Sequence, residues 1–134
     1  MADGGCRPVS RAVRFIRAAA ALAAALTASG CADFAEFVDD ARAMGVDAPI
    51  YPGIMPIANF SKIARFSEAC GAEIPRWMQR KFEGFGDDAA SVKAYGLDVV
   101  TTLCERLLAG GAPGLHFYTL NQAGLTSTIW QRLG

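Results

Sequence analysis

The sequence is short of the residues that most simple active sites are built from. It has one histidine, His116, and four cysteines, Cys6, Cys31, Cys70 and Cys104, which stand far apart with no C-x-x-C pair. Neither a zinc site nor a thioredoxin-like centre is signalled, and reduced, partly buried thiols are the expectation. No nucleophile can be matched with a base, because the lone histidine falls in a strand pattern where a hydrogen-bonded structural role is expected. Charge of either sign is not in excess: thirteen basic residues balance thirteen acidic ones. No global field therefore points to nucleic acid or to a membrane surface. The apolar run from Ala18 to Ala28 is too short to span a bilayer, and no internal repeat is visible.

What is present divides unevenly. Residues 1–31 hold Arg7, Arg11, Arg14 and Arg17 against a single Asp3, so the remainder is net acidic. From Arg11 to Ala28 the chain is basic and then nearly all alanine, which favours helix but offers little surface to bury. Four arginines, an apolar run and Ala28-Ser-Gly-Cys31 also imitate an export signal with lipidation at Cys31. Export through residues 1–30 is thus the alternative to a cytoplasmic location.

The rest is organised around Asp47-Ala-Pro-Ile-Tyr-Pro-Gly-Ile-Met-Pro-Ile-Ala-Asn-Phe60. Ile50 and Tyr51 are strand formers, whereas Pro49, Pro52, Gly53 and Pro56 interrupt pairing, so a short strand at Ile50–Tyr51 should open into a loop. Asn59 is a good cap for a helix over Phe60 to Cys70, whose apolar side carries Phe60, Ile63, Ala64 and Phe66. Upstream, Phe34, Phe37, Val38 and Ala41 mark a core-facing helix from Asp33 to Met44, ended by Gly45. Downstream, a short helix starts near Pro75 with Trp77, Met78 and Phe82. Val92, Gly96, Val99, Val100, Leu103, Cys104 and Leu107 then form one face of a helix over Asp88 to Leu108, stopped by Gly110-Gly111. Leu115 to Leu120 reads as a second strand, and a last helix runs from about Leu125 to Leu133. Two strands joined by helices should be parallel and adjacent.

In such α/β units ligands gather beyond the carboxyl ends of the strands. Asn121 and Gln122 follow the second strand directly and could cap the final helix or hydrogen-bond a ligand. Phe66 reads by pattern as a core residue. Gly84-Phe-Gly86 follows no strand and is too short for a dinucleotide fingerprint.

Three motifs go further: Pro52-Gly-Ile-Met-Pro-Ile-Ala-Asn-Phe60, Cys70-Gly-Ala-Glu-Ile-Pro-Arg-Trp77 and His116-Phe-Tyr-Thr-Leu-Asn-Gln122. Together and in this order they resemble the C-terminal third of the methylenetetrahydrofolate reductase family, from about Ala32 to Gly134. The resemblance implies a (β/α)8 TIM barrel with FAD at the C-terminal ends of its strands. In that family NAD(P)H reduces the flavin, which passes hydride to 5,10-methylenetetrahydrofolate and gives 5-methyltetrahydrofolate for methionine synthesis. The two strands here would be the seventh and eighth. By the same resemblance Phe66 would stack on folate or nicotinamide, and Leu120 would line the pocket. Lys62 stands where the family has a substrate-contacting glutamine. Gln122 replaces a folate-binding arginine, and can hydrogen-bond but cannot pair with a carboxylate.

The substrate-binding expectation is thus Lys62, Phe66, Leu120 and Gln122, with no catalytic, cofactor-binding or metal residue. The family's catalytic glutamate and its FAD contacts come from earlier strands, and 134 residues are well short of a closed barrel of roughly 250. The expected fold is α/β, an incomplete C-terminal portion of the barrel (32–134) behind an unrelated Ala/Arg-rich helical extension (1–31). Such a fragment is expected to be inactive alone. The alternative is an assembly module that complements a separately encoded N-terminal piece or forms a homo-oligomer, with folate and NAD(P)H as ligands and neither nucleic acid nor a membrane span.

Overall fold

A computed structural model describes residues 28–70, 74–119 and 121–134. The alanine-rich extension up to residue 27 and Leu120 lie outside the described residues. The first element, α1 (Ala28–Ala43), buries Phe34 and Ala41. It begins before the Asp33 expected from its apolar spacing. Gly45 ends it at φ +83°: Gly45 N–H donates to the Arg42 carbonyl and Val46 N–H to that of Ala41. Two such bonds close the orphan carbonyls of the last turn, and glycine takes the left-handed conformation without a Cβ clash.

The strand that follows is β1 (Gly53–Ile54), and it pairs in parallel with β2 (His116–Phe117), Gly53 opposite His116 and Ile54 opposite Phe117. Pairing therefore lies three residues beyond the expected Ile50–Tyr51. The reason is that Pro52 needs no N–H to take part: its carbonyl accepts from His116 N–H at 3.0 Å, and the Ile54 carbonyl accepts from Tyr118 N–H at 2.8 Å. Gly53 lets the Tyr118 ring lie over the strand, since a Cβ there would be 2.5 Å from Tyr118 Cε2 and the ring would have to turn away. The second strand is likewise shorter than Leu115 to Leu120.

Between the strands run α2 (Phe60–Cys70), α3 (Arg76–Glu83) and α4 (Ala89–Ala109), and α5 (Ala123–Leu133) closes the chain. Asp88 caps α4, its carboxylate accepting from the N–H groups of Ala90 and Ser91. Gly111, at φ +91°, ends α4 with the same pair of bonds that ends α1, from Gly111 N–H to Leu108 and from Ala112 N–H to Leu107. The buried face of α4 is Val92, Gly96, Val100, Leu103, Cys104 and Leu107, with Thr101 added. Thr101 is tolerated because its hydroxyl donates to the Leu97 carbonyl at 2.7 Å. Val99, on the expected face, is only partly buried.

The core joins this face to Ile54 and Ile57 from the β1 segment, Met78 and Phe82 from α3, and fully buried Ile129 from α5. Phe60 stacks on Phe82 at 4.5 Å between centroids, and Tyr95 meets Phe82 edge-on at 5.3 Å. These rings tie α2, α3 and α4 together beneath the strand ends. The described chain is an α-rich α/β unit around one parallel strand pair.

Candidate functional site

Both strands end on the same side, because they are parallel, and the chain leaves each into a loop that leads to a helix. A cleft of about 500 Å³ opens there. Met55, Pro56, Ala58 and Asn59 contribute from the loop after β1, and Tyr118, Thr119 and Gln122 from the loop after β2. Lys62 and Ile63 on α2, Lys93 on α4, and Gly124 and Leu125 on α5 complete the wall.

Local chemistry fixes this geometry. Asn59 caps α2 as its residue type suggests: its Oδ1 accepts the N–H of Lys62 at 3.0 Å, which anchors the first turn and sets where the lysine side chain starts. On the other wall Asn121 adopts φ +61°, a conformation asparagine tolerates better than most residues. Gln122 N–H then closes a turn onto the Thr119 carbonyl at 2.8 Å. Gln122 stands at the N-cap of α5 and lines the cleft, and its side chain makes no capping bond.

The structure brings two of the four expected site residues, Lys62 and Gln122, to one cleft. Phe66 does not line it. It lies one helical turn beyond Lys62, and its ring is 47% exposed, which corrects the core placement suggested by its spacing. A residue at i+4 shares the helix face of residue i, so the ring and the lysine project from the same side of α2. Leu120 lies outside the described residues.

Two cleft residues escaped sequence reasoning. Lys93 is one position past the buried Val92 and reads as the solvent side of α4. It reaches the rim because Gly96, one turn on, packs against Ile57 of the β1 loop. Tyr118 reads as a strand residue, yet it follows the last paired position and is 45% exposed. His116 is exposed too, its imidazole edge-on to the Tyr118 ring at 5.0 Å.

Among the described residues the cleft wall has two ammonium groups and no carboxylate. The described ionisable groups that depart from their ordinary behaviour lie elsewhere. The thiol of Cys104 is pushed up to about 11 by burial, and Asp88 is lowered by its hydrogen bonds to Ser91 and Ala90. Among the described residues no group of three histidine, cysteine or acidic side chains could hold a metal ion, and no helix is long and apolar enough to cross a membrane. A larger hollow of about 680 Å³ lies between α2 and α3, lined by Ser67, Gln79 and Glu83 among others, and includes no residue from the strand ends.

Comparison with known proteins converges on one family. The family model described as methylenetetrahydrofolate reductase matches residues 16–134. Over 101 residues, 75% of this chain, the sequence is 42% identical to methylenetetrahydrofolate reductase (NADH) 1 of Arabidopsis thaliana, of which it covers 17%. Over 101 residues it is 35% identical to 5,10-methylenetetrahydrofolate reductase of Escherichia coli, covering 34% of that protein. Over 102 residues it is 35% identical to methylenetetrahydrofolate reductase 1 of Schizosaccharomyces pombe, covering 17%. The chain thus spans about a third of the bacterial relative and about a sixth of the plant and yeast ones.

Proposed function

Since the chain belongs to the methylenetetrahydrofolate reductase family, we propose that residues 32–134 are the last helix–strand units of a (β/α)8 barrel. Their rim cleft then forms one wall of the site where folate and NAD(P)H bind. The observation that carries this is the meeting of Lys62, from α2, and Gln122, from the loop after β2, at the C-terminal ends of a parallel strand pair. That is where α/β proteins build sites, and both side chains can hydrogen-bond a polar ligand. Phe66, projecting from the same side of α2, offers a ring face on which a flat heterocycle could stack. Leu120, between Thr119 and Gln122, completes the set.

By the family resemblance the FAD contacts come from earlier strands of the barrel, so no step of flavin chemistry is assigned to these residues. The reading is that this polypeptide binds ligand but does not turn over alone, and that the reduction of 5,10-methylenetetrahydrofolate requires the remaining strands of the barrel. Among the described residues β1 and β2 pair only with each other, so each has an outer edge on which a further strand could add.

The test is an FAD titration of the purified chain, followed by flavin fluorescence, with an NADH–menadione assay on the same sample. The expected result is neither stoichiometric binding nor turnover by the chain alone. Both should appear when it is mixed with a polypeptide carrying the first six strands of the bacterial relative. Flavin binding and turnover by the chain alone would overturn the reading.

A further inference from the structure

Lys62 and Lys93 come from different helices and line the same cleft, and among the described residues no acidic side chain shares its wall. The ion pair found among the described residues is Asp98 with Arg132, so neither lysine is neutralised there by a described carboxylate. Two exposed ammonium groups on one concave wall make a positive patch, which favours an anionic ligand. The wall between them is largely apolar, with Met55, Pro56, Ile63 and Leu125. A ligand that suits it has an apolar or aromatic body and an end carrying two negative charges.

We propose that Lys93 and Lys62 form a subsite for the doubly anionic end of the ligand, with Lys93 a binding residue in its own right. The Gln122 amide and the Thr119 hydroxyl on the facing wall supply neutral hydrogen bonds to the same end. This rests on the rim cleft being the ligand site. It adds that the cationic anchor is supplied from α2 and α4, whereas the loop after β2 contributes the uncharged Gln122. Carboxylate and phosphate share the chemistry the two ammonium groups recognise, since lysine acts as a point charge toward either.

The experiment titrates the full 134-residue chain with p-aminobenzoyl-glutamate, an aromatic body with a dicarboxylate end. Adenosine diphosphate, with a diphosphate end, serves as the second arm, and binding is read by calorimetry and by backbone amide shifts. At least one probe should bind at the rim, and the arm that binds tells carboxylate from phosphate. Lys93→Gln and Lys62→Gln should each weaken it about tenfold, as loss of one charge-assisted contact does. Lys93→Arg should restore most of the affinity. Lys81→Gln, which changes a lysine lying over the Phe85 and Tyr95 rings, should leave affinity unchanged. Added salt should weaken the wild-type chain more than the Lys93→Gln variant.

The inference is overturned if neither probe binds, or if Lys93→Gln binds as the wild type does. A probe that binds through both lysines while 5-methyltetrahydrofolate does not would uphold the subsite and remove the folate reading. Binding of 5-methyltetrahydrofolate unaffected by Lys93→Gln would do the reverse.

Discussion

Gly96 lies against Ile57 so closely that a Cβ on the glycine would sit 2.7 Å from the Ile57 carbonyl oxygen and 2.8 Å from its Cβ. This contact seats the middle of α4 on the loop that leaves β1, and it brings Lys93, one turn earlier, to the cleft. Gly96→Ala gains helix propensity but must force backbone apart, and overpacking of this kind typically costs about 1–3 kcal/mol. We expect a net loss of stability in urea unfolding together with altered amide shifts at Ala58 and Asn59. A stabilised variant would show that the two segments part without cost.

Asp88 shows the same coupling of local chemistry to architecture at the start of α4. Its carboxylate accepts from Ala90 and Ser91 N–H and from the Ser91 hydroxyl at 2.6 Å, and these bonds hold it below the ordinary carboxylate range. A carboxyl lowered in the folded state stabilises above its unfolded pKa, and that contribution is lost as pH falls through the folded value. The protection of the Ala90 and Ser91 amides, measured against their intrinsic exchange at each pH, should therefore fall below about pH 4. Asp88→Ala should lower that protection at neutral pH as well, while Asp88→Asn should largely keep the cap.

Burial sets the chemistry of Cys104. Desolvation raises its thiol from 9.0 to about 11, with the nearby Glu105 charge acting in the same direction. The thiol stays protonated at pH 8 and should resist alkylation in the folded chain while reacting readily in urea. Mass spectrometry of the peptide carrying Cys104 reads this separately from Cys6, Cys31 and Cys70. The sign of the linkage follows: below pH 9 the contribution to stability is complete, and between about 9 and 11 it falls as the unfolded chain ionises first. Rapid native alkylation at pH 8 would mean that α4 opens locally.

Most elements were legible because their signals are local. Asn59 as a cap, Gly45 and Gly111 as stops, and the buried face of α4 all follow from a few neighbouring residues and a 3.6-residue period. The register of β1 was not legible, because Ile50 and Tyr51 are the better strand formers and the actual pairing at Gly53 and Ile54 is decided by β2, more than sixty residues away. Lys93 was missed for the same reason, since its place at the rim depends on Gly96 meeting Ile57. Lys62 follows only from the family resemblance and Gln122 also from its place directly after the second strand, and the fold brings them to one cleft. On the short helix α3, Trp77 is 43% exposed while its neighbours Met78 and Phe82 are buried. A helix of eight residues presents only a narrow stripe inward.

Phe66 separates stability from binding. Its ring is about half exposed and contributes little to the core, so Phe66→Ala should lower stability by well under the ~3–5 kcal/mol typical of a buried phenylalanine. If the ring stacks on the ligand, the same change should weaken 5-methyltetrahydrofolate about tenfold, the order of a lost aromatic contact of about 1 kcal/mol or more. Phe66→Tyr keeps the stacking face and should bind nearly as the wild type does. Unfolding curves and binding isotherms on the same preparations decide between the two roles. A large loss of stability with unchanged affinity would return Phe66 to the core role its spacing suggested, and would leave Lys62, Lys93 and Gln122 as the groups that hold the ligand.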